Sequence, residues 1–207
     1  MLEKLQVFCH SSIKITGSKI IYIDPYQIKE KKQDADYIFC THSHYDHFSP
    51  QDIKKIIKED TVIITVKDCI QEVNALQKPD KIILVKPEEH YQLEGISFST
   101  TYAYNQTKSF HPKEKGWVGY LILLDGITYF VAGDTDKVKE IENITCDVAL
   151  LPVGGTYTMD YEEAANLANC IGANDVVPIH YGTVVGTKQD AEEFRKKVIG
   201  KKVSILY

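Results

Sequence analysis

The segment from Thr41 to Phe48 reads Thr-His-Ser-His-Tyr-Asp-His-Phe, so three of the seven histidines and one aspartate fall within six residues. It follows an apolar stretch at 37–40 that predicts a β-strand, and it precedes Ser49-Pro50, a helix N-cap with proline at the first helical position. Side chains in a strand-to-helix loop can converge on one point. Because imidazole and carboxylate are the usual ligands of zinc and similar metals, the spacing His-x-His-x-Asp-His predicts a metal site rather than a solvated surface loop.

Short apolar stretches with β-strand periodicity surround this loop on both sides. Helices are predicted after Ser49, near 68–76, after Asp160 and near 188–198. The predicted strands are 5–9, 12–16, 19–23, 37–40, 62–66, 81–85, 96–101, 117–124, 127–131, 148–152 and 176–179. Many antiparallel strands with interspersed helices favour a mixed α/β sandwich over a doubly wound sheet, and there is no Gly-x-Gly-x-x-Gly loop.

The histidine-rich segment resembles the signature of the metallo-β-lactamase superfamily, whose four-layer αββα sandwich of mixed sheets holds one or two metals at one edge. Two later segments agree with this resemblance. Gly133-Asp134-Thr135 is similar to the family segment whose aspartate bridges the metals, and Pro178-Ile179-His180 is similar to the segment that supplies the last histidine. The resemblance implies one metallo-β-lactamase-fold domain over residues 1–207.

Within the superfamily the chain resembles small hydrolases related to ascorbate-phosphate lactonase and to N-acyl-phosphatidylethanolamine phospholipase D. The resemblance rests on the stretch 151–160, on His10-Ser11-Ser12-Ile13 and on Asp24-Pro25. Many proteins of that branch have no assigned substrate. The resemblance therefore indicates the type of reaction but not the identity of the substrate.

The resemblance implies a ligand set and a mechanism. A metal-activated hydroxide would attack a small ester, lactone or phosphodiester, and Asp46 would take and return a proton. Zinc is the expected metal, as one or two ions, with manganese or iron as alternatives. The first metal would be held by His42 and His44, the second by Asp46, His47 and His180, and Asp134 would bridge them.

One position departs from the family pattern. A histidine for the first metal usually follows the middle strand in an Ala-x-His setting, but this chain has Ala103-Tyr104-Asn105 there. Either Asn105 is a weak carbonyl ligand, or His111 reaches in from the loop, or the first site is incomplete. Imidazole is the better ligand, which favours His111.

The stretch 102–117 is long, polar and aromatic, without periodicity, and predicts a rim or lid over the metal. Its Lys108, Lys113 and Lys115 either steer an anionic substrate or are solvated loop charges. Substrate contacts are predicted for four residues of this stretch and of the stretch 151–160: Tyr104, Asn105, Thr156 and Tyr157.

Two earlier residues have two readings each. For His10 a packed or ligand-orienting role is expected rather than direct ligation. Asp24 either orients a ligand histidine or caps a turn. His90, beside two glutamates, is expected at the surface.

The composition indicates which classes of binding partner to expect. With 43% hydrophobic and 26% charged residues and a formal net charge of −5, nucleic-acid and anionic-membrane binding are disfavoured. The N-terminus lacks a signal-peptide pattern, no apolar run reaches membrane-span length, and the five cysteines form no Cys-x-x-Cys pair, which predicts a cytoplasmic protein with reduced thiols. The expected partner is a small-molecule substrate, and the oligomeric state stays open. A nuclease and an iron-binding redox protein on the same fold are the alternatives.

Overall fold

The computed structural model describes residues 2–76 and 81–207, and within these ranges thirteen strands form two mixed sheets. Sheet 1 contains, in spatial order, β1 (Leu5–Cys9), β2 (Ser12–Thr16), β3 (Ile20–Ile23), β4 (Ala35–Phe39), β5 (Ile57–Val66) and β6 (Ile82–Val85). Sheet 2 has the order β13 (Lys202–Val203), β12 (Gly172–Ile179), β11 (Thr145–Pro152), β10 (Ile127–Val131), β9 (Val118–Leu124), β8 (Ile96–Tyr102) and β7 (His90–Leu93).

Each sheet has an antiparallel part and a parallel part. In sheet 1, β1, β2 and β3 pair antiparallel, and β3 to β6 pair parallel. In sheet 2, β7 to β10 pair antiparallel, and β10 to β13 pair parallel. Strands β1, β3 and β4 therefore end at one edge of sheet 1, and β8, β10 and β12 end at one edge of sheet 2.

The predicted turns and caps have the expected local chemistry. Asp125 and Gly126 have φ of 51° and 77°, the two positive values that a primed hairpin turn between β9 and β10 requires. Ser49 caps helix α1 (Pro50–Ile56) by accepting a hydrogen bond from the Asp52 backbone. Asp160 caps helix α3 (Tyr161–Cys170) in the same way through the Glu163 backbone.

Helices cover the outer faces of the two sheets. In β4 the successive residues Ile38 and Phe39 point to opposite faces, and both are fully buried, so sheet 1 is covered on both sides. The first core joins the two sheets and includes side chains of α1 and of α2 (Ile70–Ala75). The second core packs α3 and α4 (Lys188–Lys197) against sheet 2. The predicted four-layer sandwich is confirmed.

The structure adds strands that the sequence pattern did not predict. Edge strand β7 and the two-residue strand β13 lack an apolar run, and β5 begins at Ile57, five residues before the predicted start. His90 lies exposed in β7, as expected. Among the described residues, no helix combines the length and apolar character needed to cross a membrane.

Candidate metal centre

Five chain segments meet where the two sheet edges face each other. His10, Asp24 and the loop 41–48 follow β1, β3 and β4, while Asp134 and His180 follow β10 and β12. Because these strands end at the same edges, residues far apart in sequence lie close together. His111 joins them from the connection between β8 and β9.

The candidate donors form two groups around one carboxylate. We call His42, His44 and His111 the first group, and we call His10, Asp46, His47 and His180 the second group; within each, the donor atoms lie within 4.8 Å of one another. Asp134 lies between the groups. Its Oδ2 is 3.2 Å from His111 Nε2 and 3.0 Å from His180 Nε2, and its Oδ1 is 3.2 Å from His47 Nε2.

The short distances around Asp134 are not well-aligned hydrogen bonds. Its Oδ1 atom and six buried imidazole nitrogens make no hydrogen bond within the part of the chain that the structure describes. A buried polar atom without a partner is unfavourable, and a cation placed among unpaired donors that lie within a few ångströms of one another would satisfy them. The donors in each group therefore fit a divalent cation. The six nitrogens are both ring nitrogens of His10 and of His180 and the Nε2 atoms of His47 and His111.

Asp24 fixes the orientation of His47. Its buried carboxylate accepts hydrogen bonds from the Thr41 backbone and hydroxyl, both at 2.8 Å, and lies 2.7 Å from His47 Nδ1. A carboxylate only accepts, so His47 donates from Nδ1 and directs Nε2 toward Asp134. Of the two readings for Asp24, the orienting role is the one that this geometry supports.

Asn105 orients His111 in a similar way. The Asn105 side chain donates to Asp136 and to the Tyr157 backbone, both at 2.9 Å, which assigns its other terminal atom as the oxygen. That oxygen accepts from the His111 backbone and lies 3.0 Å from His111 Nδ1. His111 thus directs Nε2 toward Asp134, and this arrangement favours His111 over Asn105 as the third donor of the first group.

Electrostatics hold several of the donors in metal-binding forms. Burial holds the pKa of His42 well below its ordinary value, so its imidazole is neutral. Burial would raise the pKa of Asp134, but the facing His180 and His47 outweigh it and hold this pKa well below its ordinary range. In the second group, burial lowers the pKa of His10 to about 4, whereas His10 and His47 overcome the burial of Asp46 and lower its pKa to about 2. Neutral imidazoles beside ionised carboxylates are the state that binds a cation.

His47 is the exception in this cluster. Burial would lower its pKa, but the carboxylates of Asp134 and Asp24 outweigh burial and hold that pKa well above the ordinary value. A cation at Nε2 would replace the proton there while Nδ1 keeps its bond to Asp24.

The cluster opens to solvent through a cavity of about 210 Å³. Tyr45 and Phe110 are exposed aromatic residues at its mouth, 64% and 44% accessible, and the Phe110 ring packs edge-on against Tyr157. The loop 102–117 thus supplies part of the rim. The lining residues are His44, Tyr45, Asp46, Phe110, His111, Asp134, Tyr157 and Val184.

Of the four predicted substrate contacts, only Tyr157 lines this cavity. Asn105 lies behind His111, and the Tyr104 hydroxyl bonds to Glu140. Thr156 is absent from the lining. Sequence reasoning did not single out Tyr45, Phe110 and Val184, although Tyr45 is a large aromatic inside the histidine motif itself.

The three lysines of the rim loop are paired with carboxylates. Lys108 contacts Asp136 at 2.6 Å, Lys113 contacts Glu140 at 2.6 Å, and Lys115 contacts Asp68 at 3.1 Å. Neither Lys nor Arg belongs to the cavity lining described above. The structure therefore gives these lysines local partners rather than an unpaired position facing the cavity.

Comparisons with known proteins agree with this architecture. A model of the β-lactamase superfamily domain matches residues 4–180. A UPF0173 metal-dependent hydrolase of Thermococcus onnurineus is 30% identical over 99% of this chain and 96% of its own. A solved structure from Parabacteroides distasonis has a TM-score of 0.81 and 28% identity, and covers 97% of this chain and 91% of that chain. For Igni18, a metallo hydrolase of Ignicoccus hospitalis, the TM-score is 0.78 and the identity 27%, over 97% and 93% of the two chains. The chain is therefore a metal-dependent hydrolase of the metallo-β-lactamase superfamily.

Proposed function

We propose that this enzyme is a binuclear hydrolase that cleaves a small ester, lactone or phosphodiester. One observation carries the proposal: buried histidine nitrogens from both sheets converge on Asp134, at the floor of an open cavity with aromatic walls. Zinc is the first choice of metal because imidazole and carboxylate donors suit it, and manganese or iron are the alternatives.

In this proposal His42, His44 and His111 would hold one metal, Asp46, His47 and His180 would hold the other, and Asp134 would serve both. Bound at these groups, divalent metals supply Lewis acidity and lower the pKa of a water molecule toward neutrality. Asp46 has two roles, since it belongs to the second group and also lines the cavity. Its carboxylate is placed to take the proton of the attacking water and to return it to the leaving oxygen.

The cavity walls indicate the kind of substrate. Tyr45, Phe110, Tyr157 and Val184 offer apolar contact area, which suits an acyl, aryl or alkyl group next to the scissile bond. With the rim lysines already paired, an anionic group of the substrate would be neutralised by the metals rather than by the rim. A nuclease function has little support, because the cavity lining described here carries no lysine or arginine to contact a phosphate backbone.

A cytoplasmic location is part of the proposal. Cys9, Cys40, Cys69, Cys146 and Cys170 are all free thiols. Free thiols are typical of a reducing compartment.

The test combines metal analysis with a substrate panel. Protein purified without added metal should contain bound metal, and it should hydrolyse at least one of p-nitrophenyl acetate, γ-butyrolactone and bis(p-nitrophenyl) phosphate. Chelation should abolish the hydrolysis, and zinc, manganese or iron should restore it. Hydrolysis that survives complete metal removal would contradict the proposal, and bound iron with redox activity but no hydrolysis would favour the iron-binding alternative.

A further inference from the structure

His10 shares three structural features with the residues already assigned to the cluster. It follows strand β1 at the same edge of sheet 1 as Asp24 and the histidine motif. Its side chain is 1% exposed. Its backbone is left-handed, with φ of 52°, as are Asp24 at 46° and His180 at 60°. Non-glycine residues rarely adopt this conformation, and it is enriched at functional sites.

A donor atom of the His10 ring lies within 4.8 Å of the other donors of the second group. His10 Nε2 lies 3.1 Å from Asp46 Oδ2, but neither ring nitrogen makes a hydrogen bond to any described residue. The same combination of proximity and misalignment marks the Nε2 atoms of His47 and His180. A buried imidazole with both nitrogens unpartnered is unfavourable, and a cation would satisfy one of them.

His10 is also attached directly to His180. The two rings contact each other with centroids 3.8 Å apart and their planes tilted by 40°, and the His180 backbone N–H donates to the His10 carbonyl at 2.9 Å. This backbone bond fixes the position of His10 relative to a residue of the second group. The ring is thereby held where its Nε2 shares the donor geometry of Asp46, His47 and His180.

We propose that His10 is a further metal ligand of the second group, an inference that rests on the proposed assignment of that group as a metal site. The four members of the second group together with Asp134 then offer five protein donors. Zinc in proteins is usually four-coordinate, whereas manganese, iron and cobalt readily take five or six ligands. The second group is accordingly suited to a metal of higher coordination number than the first.

X-ray absorption on His111→Ala protein loaded with one equivalent of Co²⁺ tests this proposal with His10 intact. The first group then keeps only two imidazoles, so a spectrum with three imidazole ligands requires that the metal is at the second group and that His10 binds it. Two imidazoles at that step would overturn the proposal.

The paired variant is His10→Asn, since asparagine tolerates a positive φ but is too short to reach the metal. In the Co²⁺-loaded protein each ligated imidazole gives one paramagnetically shifted N–H proton signal. His10→Asn should lose one such signal, and Co²⁺ affinity at the second group should fall at least roughly 10- to 100-fold, the range found for residues that only orient ligands. The exposed His90→Asn should change neither quantity.

The outcomes separate this proposal from the proposed function. Unmodified protein that binds no Co²⁺ at the second group would contradict the proposed function itself. Normal loading of the unmodified protein with all shifted signals retained in His10→Asn would overturn only the role of His10.

Discussion

The two donor groups lie on either side of Asp134 but are held in place in different ways. In the first group, His44 is only half-buried and lines the cavity, and His111 comes from a long loop and is oriented by the neutral amide of Asn105. In the second group every member is buried, and His47 is oriented by the buried carboxylate of Asp24. Fully buried donors oriented by a charged carboxylate are better preorganised than partly exposed donors or donors from a long loop. We therefore expect the second group to bind metal more tightly and the first to adapt to substrate.

The largest effect is expected for Asp134, the residue that we propose serves both groups. Asp134→Ala should lower the bound metal at both groups, and kcat/KM should fall by well over the roughly 100-fold seen for partners that merely orient ligands. Metal analysis of the purified variant, together with steady-state kinetics, measures both quantities. The control is Asp60→Asn, an aspartate with an 81% exposed side chain. Full metal content in Asp134→Ala would contradict the shared role.

The proposed difference in metal affinity between the two groups can be measured directly. Titration of the stripped protein with zinc should show two binding steps, and His111→Ala should weaken only the looser step. His47→Ala should instead weaken the tighter step. If His111→Ala leaves the looser step unchanged, then Asn105 or water completes the first group.

A smaller effect is expected when only the orienting residues are changed. Asp24→Asn should weaken the tighter step, and Asn105→Ala should weaken the looser step, each by roughly 10- to 100-fold. Calorimetric titration of both variants with zinc measures whether each one weakens a different binding step. Equal weakening of both steps in either variant would indicate a general loss of folding instead.

The smallest effect concerns the rim of the cavity. Phe110→Ala should raise KM by roughly tenfold for esters with an apolar group and leave kcat nearly unchanged, because it removes contact area that is the same in the bound and transition states. Leu123→Ala is a matched control, since Leu123 is 42% exposed on β9, outside the cavity. A fall in kcat without a change in KM would argue against a binding role for Phe110.

The prediction of the fold succeeded where local chemistry alone determines the structure. Apolar alternation locates β1 and β2, and the pair Asp125-Gly126 locates the hairpin between β9 and β10, because each signal lies within a few residues. Strand β7 pairs with β8 along an edge where half of its side chains are exposed. Its strand conformation depends on that partner, and its own sequence carries little signal.

The candidate site was predictable only in part for a similar reason. The spacing of the histidine motif identifies the candidate metal-binding side chains of the loop 41–48, because they all lie within six residues of one another. The roles of His10, Asn105 and Phe110 depend on which ring nitrogen faces the cluster and which side chain reaches the cavity. Packing between distant segments determines the orientation of each ring and the reach of each side chain. A local sequence pattern does not contain this information.

The hydrogen bond from the His180 backbone to the His10 carbonyl crosses from sheet 2 to sheet 1 at the cluster. Both donor groups likewise draw side chains from segments that follow strands of both sheets. A bound cation would therefore act as a cross-link between the two halves of the sandwich. By mass action, a ligand present at 100 times its Kd stabilises the folded state by about 2.7 kcal/mol per site. Amide hydrogen exchange at the ends of β1 and β12 should accordingly slow when metal is bound, so that the cofactor contributes to folding as well as to catalysis.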